Sequence, residues 1–187
     1  MYKRQDVRQL LVHRHKQVQA RTRVKNQLQA MALSQGVQKK RKLWTEAGRP
    51  ELEKLELLPY AAERRKQLLQ ALDGLEVEIE QLNRRVEEEA GKRSAAVKLQ
   101  THPGVGPVTA LAMVLTLGPA QRFASGKQVG SYFGLIPSEY SSGGQQKLGH
   151  ISKQGSSFLR FLLVEAGQSA ARYDSELGRF YLSLIHI

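Results

Sequence analysis

Apolar residues that recur at alternating spacings of four and three constrain the fold of this 187-residue chain more than any other feature. Such alternation keeps the side chains on one helix face and is typical of a coiled-coil seam. The pattern predicts a coiled-coil helix within residues 51–93, kinked or interrupted early by Pro59 and weakened by Gly74. The seam consists of Leu68, Leu72, Leu75, Ile79, Leu82 and Val86.

A second long segment, residues 6–33, contains neither glycine nor proline and carries apolar residues at ragged helical spacing. We expect it to form a helix that Gly36 ends. Two arrangements would cover the seam: an antiparallel hairpin with this helix, or self-association of the chain as a homo-oligomer. The acidic surface of one helix and the basic surface of the other favour the hairpin.

The composition changes near residue 95, where charges become fewer and glycines more frequent. We therefore predict a mainly α fold, with a helical coiled-coil region over 1–95 and a small α-helical domain over 96–187. Residues 1–5 and 183–187 resemble translated sequencing-adapter ends. We expect from this that neither terminus is natural and that the chain is an internal fragment.

Positive charge is concentrated at the start of the chain. The formal net charge is +12, and residues 1–43 hold 12 Lys and Arg against the single acid Asp6. So little acidic compensation favours contact with a nucleic acid over the ordinary alternative, a solvated helix face. The expected contacts are Arg14, Arg21, Arg23, Lys25, Lys39, Lys40, Arg41 and Lys42.

The composition also excludes several classes of protein. The chain has no cysteine, which excludes disulfides and cysteine zinc sites and fits a reducing compartment. No apolar run approaches the roughly 20 residues of a membrane span, and no signal peptide is visible. We expect a cytoplasmic protein without a membrane partner.

A proline- and glycine-rich turn at residues 103–107 precedes the apolar run 108–117. Gly104 and Gly106 would let a phosphate approach the backbone at the start of the following helix. This is the pattern of a helix-hairpin-helix, a module that grips DNA phosphates without reading bases. The alternative is a turn that merely packs two helices together.

The best candidate for chemistry is the glycine- and serine-rich loop that begins with Ser141 and Ser142. A hydroxyl beside glycines can be presented to a bulky substrate, and nearby cations can hold a phosphate. The cations are Lys147, Lys153 and Arg160, while His150 would move a proton or bind phosphate. An amphipathic helix is predicted over 156–172. The alternative is a polar loop that caps this helix.

Taken in order, these motifs resemble the C-terminal domain of bacterial insertion-sequence transposases of the RNA-guided bridge-recombinase group. That family joins a RuvC-like DEDD domain to a serine domain. Residues 101–182 resemble the serine domain, and residues 6–95 resemble the helical region before it. The matching positions are Pro103–Gly106, Phe123, Gly134–Pro137, Ser142–Gly143, Gly149, Ser152–Lys153, Gly155 and Leu159–Arg160.

The resemblance implies DNA strand exchange through a covalent serine intermediate. By position the nucleophile is Ser142, with Ser141 as the second choice. The implied partners are DNA and a structured guide RNA. The RuvC-like domain, whose four acids would hold divalent metal such as Mg²⁺, is absent, so we expect no cofactor in this chain and no recombination by it alone. The alternative is a non-enzymatic nucleic-acid-binding module.

Overall fold

Eight helices and one short β-hairpin make up the described part of the chain, so the predicted mainly α class is confirmed. The computed structural model describes residues 2–38, 42–45 and 47–185. The helices are α1 (Tyr2–Ser34), α2 (Gly48–Glu53), α3 (Pro59–Gly91), α4 (Ser94–Leu99), α5 (Pro107–Leu117), α6 (Gly126–Tyr132), α7 (Ser157–Tyr173) and α8 (Ser175–Ile185). The strands are β1 (Pro137–Glu139) and β2 (Leu148–Ile151), and 3₁₀ turns lie at Lys42–Trp44 and Ala120–Arg122.

The described residues divide into two compact units. The helical unit comprises residues 12–85, and the C-terminal unit comprises residues 2–11 together with 86–185. The domain boundary expected near residue 95 stays a prediction.

In the helical unit, α1 and α3 run antiparallel. Arg14 Nε donates to Asn83 Oδ1 at 2.7 Å, and further along α1 the Lys25 ammonium lies 3.1 Å from Glu76 Oε1. Residues further along α1 thus contact residues earlier in α3. This antiparallel arrangement is the predicted hairpin. Its apolar core consists of Leu28, Ala32, Leu43, Leu52, Leu69 and Leu72.

The predicted seam lies on α3 and is covered within one chain. Leu72, Ile79, Leu82 and Val86 are buried, and Leu68 and Leu75 are half-buried. The predicted interruption at Pro59 is confirmed, because helix ends at Glu53 in α2 and resumes at Pro59, the first residue of α3. Proline suits that position, where its missing N–H has no helical partner. Self-association through the seam stays a prediction.

The C-terminal unit is built around α5, which carries no charged residue. A helix that is apolar on most sides must be surrounded by other elements. Its buried residues include Ala110, Leu111, Ala112, Leu115 and Leu117. They share one core with residues from the start of α1, the end of α3 and α7, namely Val7, Leu11, Val86, Ala90 and Leu159.

The segment expected to be a glycine- and serine-rich loop is an antiparallel β-hairpin. The Tyr140 N–H donates to the Lys147 carbonyl at 2.9 Å, and the chain reverses between Ser142 and Gln145. Gly143 and Gly144 occupy the turn with φ of +58° and +78°. Two consecutive positive φ values make a type I′ turn, which glycine adopts without steric cost and which suits the twist of paired strands. The glycines therefore specify a tight reversal.

The helix predicted over 156–172 is confirmed as α7. Ser156 caps it, since its Oγ accepts a hydrogen bond from the Leu159 N–H at 3.3 Å. Within the described ranges, no helix is long and apolar enough to cross a membrane.

Candidate active site

Ser142 stands at the tip of the hairpin and is exposed to solvent. Its backbone N–H and carbonyl both bond to Gln145, at 3.3 and 3.1 Å, which holds the residue at the start of the turn. In the part of the chain that the structure describes, no partner is in hydrogen-bonding distance of its Oγ. The hydroxyl is therefore open to an incoming phosphodiester on a backbone that the turn holds in place.

Ser141 has a different environment. Its Oγ donates to Glu139 Oε1 at 2.6 Å and accepts a hydrogen bond from the Lys147 N–H at 3.2 Å. The bond from Lys147 links the two arms of the hairpin, whereas the bond to Glu139 lies within the first arm. A hydrogen bond to a carboxylate also makes a hydroxyl oxygen more electron-rich. The Ser141 hydroxyl is thus hydrogen-bonded within the hairpin, whereas the Ser142 hydroxyl is exposed at its tip.

Three of the four residues predicted to contact phosphate near the serines are exposed on or beside the hairpin. Lys147 directly precedes β2, His150 lies within it, and Lys153 follows it. The His150 carbonyl accepts a hydrogen bond from Ser138 Oγ at 3.0 Å, so the backbone of this residue helps to pair the strands. The Lys153 backbone has φ of +55°, which is uncommon for a residue with a side chain.

Arg160, the fourth predicted phosphate contact, is already hydrogen-bonded to carbonyls of this chain. Its Nη1 donates to the carbonyls of Phe133 and Gly155, each at 3.3 Å, and also to the carbonyl of Gln154. The guanidinium of α7 thereby joins the end of α6 to the turn that follows β2. We conclude that this nitrogen anchors the base of the hairpin.

Replacing Arg160 with methionine is expected to destabilise the protein by about 1–3 kcal/mol, because the carbonyls lose a charged donor. Urea unfolding followed by circular dichroism measures this loss. Arg172→Met is the matched control, since Arg172 is exposed on the same helix, and it is expected to change stability by less than about 0.5 kcal/mol. Equal stability of the two variants would contradict the anchoring role.

The turn between α4 and α5 contains the two glycines that were predicted to approach phosphate. Gly104 has φ of +78°, and a Cβ there would run into the α7 backbone at the Ala166 carbonyl and, 2.9 Å away, the Ala170 nitrogen. Around Gly106 no atom lies within 4 Å of such a Cβ. Gly104 therefore serves close packing of the turn on α7, and Gly106 is the one that leaves space at the start of α5.

The basic residues of α1 differ in how free they are. Burial, with a contribution from Arg21, lowers the pKa of Arg14. Lys25 pairs with Glu76 and lies over the Trp44 ring at 5.2 Å. Arg23 is exposed and Arg21 half-buried. Lys39, Lys40 and Arg41 lie outside the described residues, and of Lys42 only the backbone, in a 3₁₀ turn, is described.

Comparisons with known proteins agree with the motifs around this hairpin. Residues 96–182 match the model of the transposase IS116/IS110/IS902 family. That range contains the α4–α5 turn, the hairpin and α7. Residues 96–182, just under half of the chain, thus resemble a segment of this transposase family.

Named relatives support the same assignment over a longer stretch. The chain is 32% identical over 160 residues to a transposase for insertion sequence element IS1328 of Yersinia enterocolitica, covering 84% of the chain and 48% of the relative. It is 35% identical over 107 residues to a probable family 20 transposase of Pseudomonas aeruginosa, covering 57% and 32%. The chain therefore spans less than half the length of either relative.

The C-terminal unit also uses basic residues to which the sequence analysis assigned no role at the site. Arg4 Nε and Arg8 Nη2, both on α1, donate to the Leu115 carbonyl at 2.6 and 2.9 Å. This carbonyl is in the last turn of α5, where free carbonyls and the helix dipole favour a cation. The sequence around Arg4 and Arg8 shows only that they belong to a basic segment. It could not predict these hydrogen bonds, because the acceptor is a backbone atom more than 100 positions away.

Acidic residues of the described chain do not gather into a metal site. Within residues 2–38, 42–45 and 47–185, no group of three His, Cys, Asp or Glu residues comes together to hold an ion. The divalent metal that the resemblance implies therefore has no ligand set among these residues, and the chemistry below does not pass through it.

Proposed function

We propose that this chain is part of a transposase that breaks and joins DNA through a covalent bond to Ser142. The observation that carries the proposal is the presentation of the Ser142 hydroxyl. It is exposed at the tip of a type I′ hairpin, and Oγ has no partner among the described atoms. The match of residues 96–182 to a transposase family supports DNA as the substrate.

The proposed step is a displacement at phosphorus. Ser142 Oγ forms a bond to the phosphorus of a DNA phosphodiester, and the bond from that phosphorus to one deoxyribose oxygen breaks. The departing oxygen takes up a proton, and the serine proton passes to solvent. The phosphoserine linkage keeps the energy of the original ester, so a second strand end can reverse the reaction and be joined.

Negative charge on the phosphoryl oxygens needs stabilisation during this displacement. Lys147 and Lys153 are exposed cations on either side of β2, and His150 within the strand can donate a further hydrogen bond. Arg160 contributes indirectly by anchoring the turn that carries Lys153. The hydrogen bond from the Lys147 N–H to Ser141 holds the two arms of the hairpin so that the Ser142 hydroxyl keeps its position.

The remaining parts of the activity are assigned by resemblance. We propose that a RuvC-like domain, in sequence beyond this chain, supplies the acids that bind divalent metal. We propose further that exposed basic residues of α1 such as Arg23 hold a structured guide RNA, and that the active protein is a homo-oligomer. On this view the chain alone binds DNA but does not exchange strands, and strand exchange by the purified chain would contradict it.

Binding of the purified chain to duplex DNA should weaken steeply with salt. Each phosphate that a cation neutralises releases counterions, so three such contacts predict a loss of about 40-fold in affinity between 50 and 200 mM salt. Fluorescence anisotropy with duplexes from the DNA that flanks the gene measures this slope. An affinity that does not change over this range would contradict phosphate contact.

A non-enzymatic nucleic-acid-binding module is the second candidate function. The exposed cations of the hairpin and the open space at Gly106 favour it, because they serve binding whether or not a bond is broken. Both candidates predict the same salt dependence. They differ in whether the Ser142 hydroxyl is required for a covalent protein–DNA adduct.

A further inference from the structure

An arginine held between two aromatic rings lies on the surface of the C-terminal unit. The Arg122 guanidinium carbon is 4.5 Å from the centre of the Phe123 ring and 4.6 Å from that of Tyr132. The two rings meet edge to face with their centres 5.5 Å apart. We call these three residues the Arg122 cluster.

The cluster is rigid on the protein side and open on the other. Phe123 packs against the core of the unit, and Tyr132 contacts Phe133, which is only 3% exposed. Arg122 is exposed, and in the described chain its guanidinium has no carboxylate or carbonyl partner. Stacking restrains the guanidinium while its in-plane N–H donors stay available, which lowers the entropy lost when it binds.

The surface around Arg122 is rich in hydrogen-bond donors. A concavity of about 480 Å³ is lined by the cluster together with Gln128 and Ser131, and no acidic residue lines it. Gln128 Oε1 already accepts from the Ala124 N–H at 2.8 Å. Its amide N–H₂ group is therefore left as a donor beside the guanidinium. A positive site with several donors suits a phosphate group.

The end of α6, which carries Tyr132 of the cluster, also contacts the base of the hairpin. Tyr132 lies at the end of α6, and its carbonyl is so close to Gly155 that a Cβ there would approach it to 2.7 Å. The neighbouring Phe133 carbonyl accepts from Arg160, the residue that anchors the base of the hairpin. A nucleic-acid strand bound at the cluster is thus held by the same elements that hold the serines.

We propose that the Arg122 cluster binds a backbone phosphate of the DNA on which Ser142 acts, at a position other than the attacked bond. This inference rests on the proposed function. We propose DNA as the ligand because the end of α6 supports both the cluster and the base of the serine hairpin. The contact reads no base, since the guanidinium and the amide face a phosphate, so it positions the DNA irrespective of sequence.

The test compares DNA binding by variants of the purified chain over a salt series. Arg122→Gln is expected to weaken binding about tenfold, as for loss of one charged hydrogen bond, and to reduce the slope of log affinity against log salt by about 1. Tyr132→Leu keeps the charge but removes one supporting ring, and a smaller loss with an unchanged slope is expected. Both effects should be equal for two duplexes of unrelated sequence.

Arg84→Gln is the matched control, because Arg84 is an exposed arginine that pairs with Glu80 on α3. It is expected to leave affinity and slope unchanged. Salt-dependent binding of wild type with equal slopes for Arg122→Gln and Arg84→Gln would overturn the cluster proposal while leaving the proposed function standing. A loss seen with RNA but not with DNA would also overturn it. No DNA binding by wild type would overturn both, and Arg122→Met, which also removes the charge, replaces Arg122→Gln if melting shows the latter unfolded.

Discussion

Replacing Ser142 with alanine is expected to abolish covalent protein–DNA adducts while leaving DNA affinity within about twofold. The substitution removes the only atom that forms the proposed bond to phosphorus, so adducts should fall by at least about 10³-fold. Among the described residues, the exposed side chain has no hydrogen-bond partner on which folding could depend. The measurement is a denaturing gel of a full-length transposase that contains this chain, after incubation with the DNA that flanks its gene.

Ser141→Ala is the matched control for this prediction. It removes the hydrogen bonds to Glu139 and to the Lys147 N–H. We therefore expect a looser hairpin with fewer adducts, but not their loss. Adducts that disappear with Ser141→Ala and persist with Ser142→Ala would identify Ser141 as the nucleophile. Adducts that persist in both variants, or that never form, would favour the non-enzymatic binding module.

Replacing Gly104 with alanine is expected to destabilise the protein by about 3 kcal/mol or more. A side chain at φ of +78° is strained, which costs about 1–3 kcal/mol. The added Cβ also runs into the α7 backbone at Ala166 and Ala170, and forced contacts of this kind cost about 1–3 kcal/mol more. Neither backbone can move away without disturbing the core around α5. Urea unfolding of the purified chain measures the effect.

Gly106→Ala is the natural comparison, because the two glycines belong to the same turn. Gly106 has φ of −88° and open space where its Cβ would lie. We expect its replacement to change stability by less than about 0.5 kcal/mol. A stable Gly104→Ala variant with weakened DNA binding would contradict the packing role and return Gly104 to the predicted phosphate contact.

Helices were predictable here because their signals are local. The heptad spacing from Leu68 to Val86 requires a covered face, and the lack of glycine and proline over 6–33 allows a long helix. The apolar composition of α5 likewise predicts burial, since no face of it suits water. The interruption at Pro59 has a local cause too, because proline stops a helix that precedes it and suits the first turn of the next one.

The hairpin was not predictable in the same way. Its strands are three and four residues long and largely exposed, so no alternation of apolar and polar residues marks them. The glycines predict a loop, and only their paired positive φ values in the structure make them a defined turn. The difference between Ser141 and Ser142 depends on that turn, because it places Ser141 beside the Lys147 N–H and leaves Ser142 at the tip.

Periodicity, charge and motif order were enough to specify a mainly helical chain with a basic start, a glycine turn and a pair of serines beside cations. Tertiary structure alone decided which of these groups are free to act. Arg160 donates hydrogen bonds to carbonyls, and Gly104 packs against the backbone of α7. Arg122 stacks on two aromatic rings, which leaves its N–H donors available. The reason is physical: the partners are mostly backbone atoms and ring faces from other elements, and residue type does not reveal where those lie.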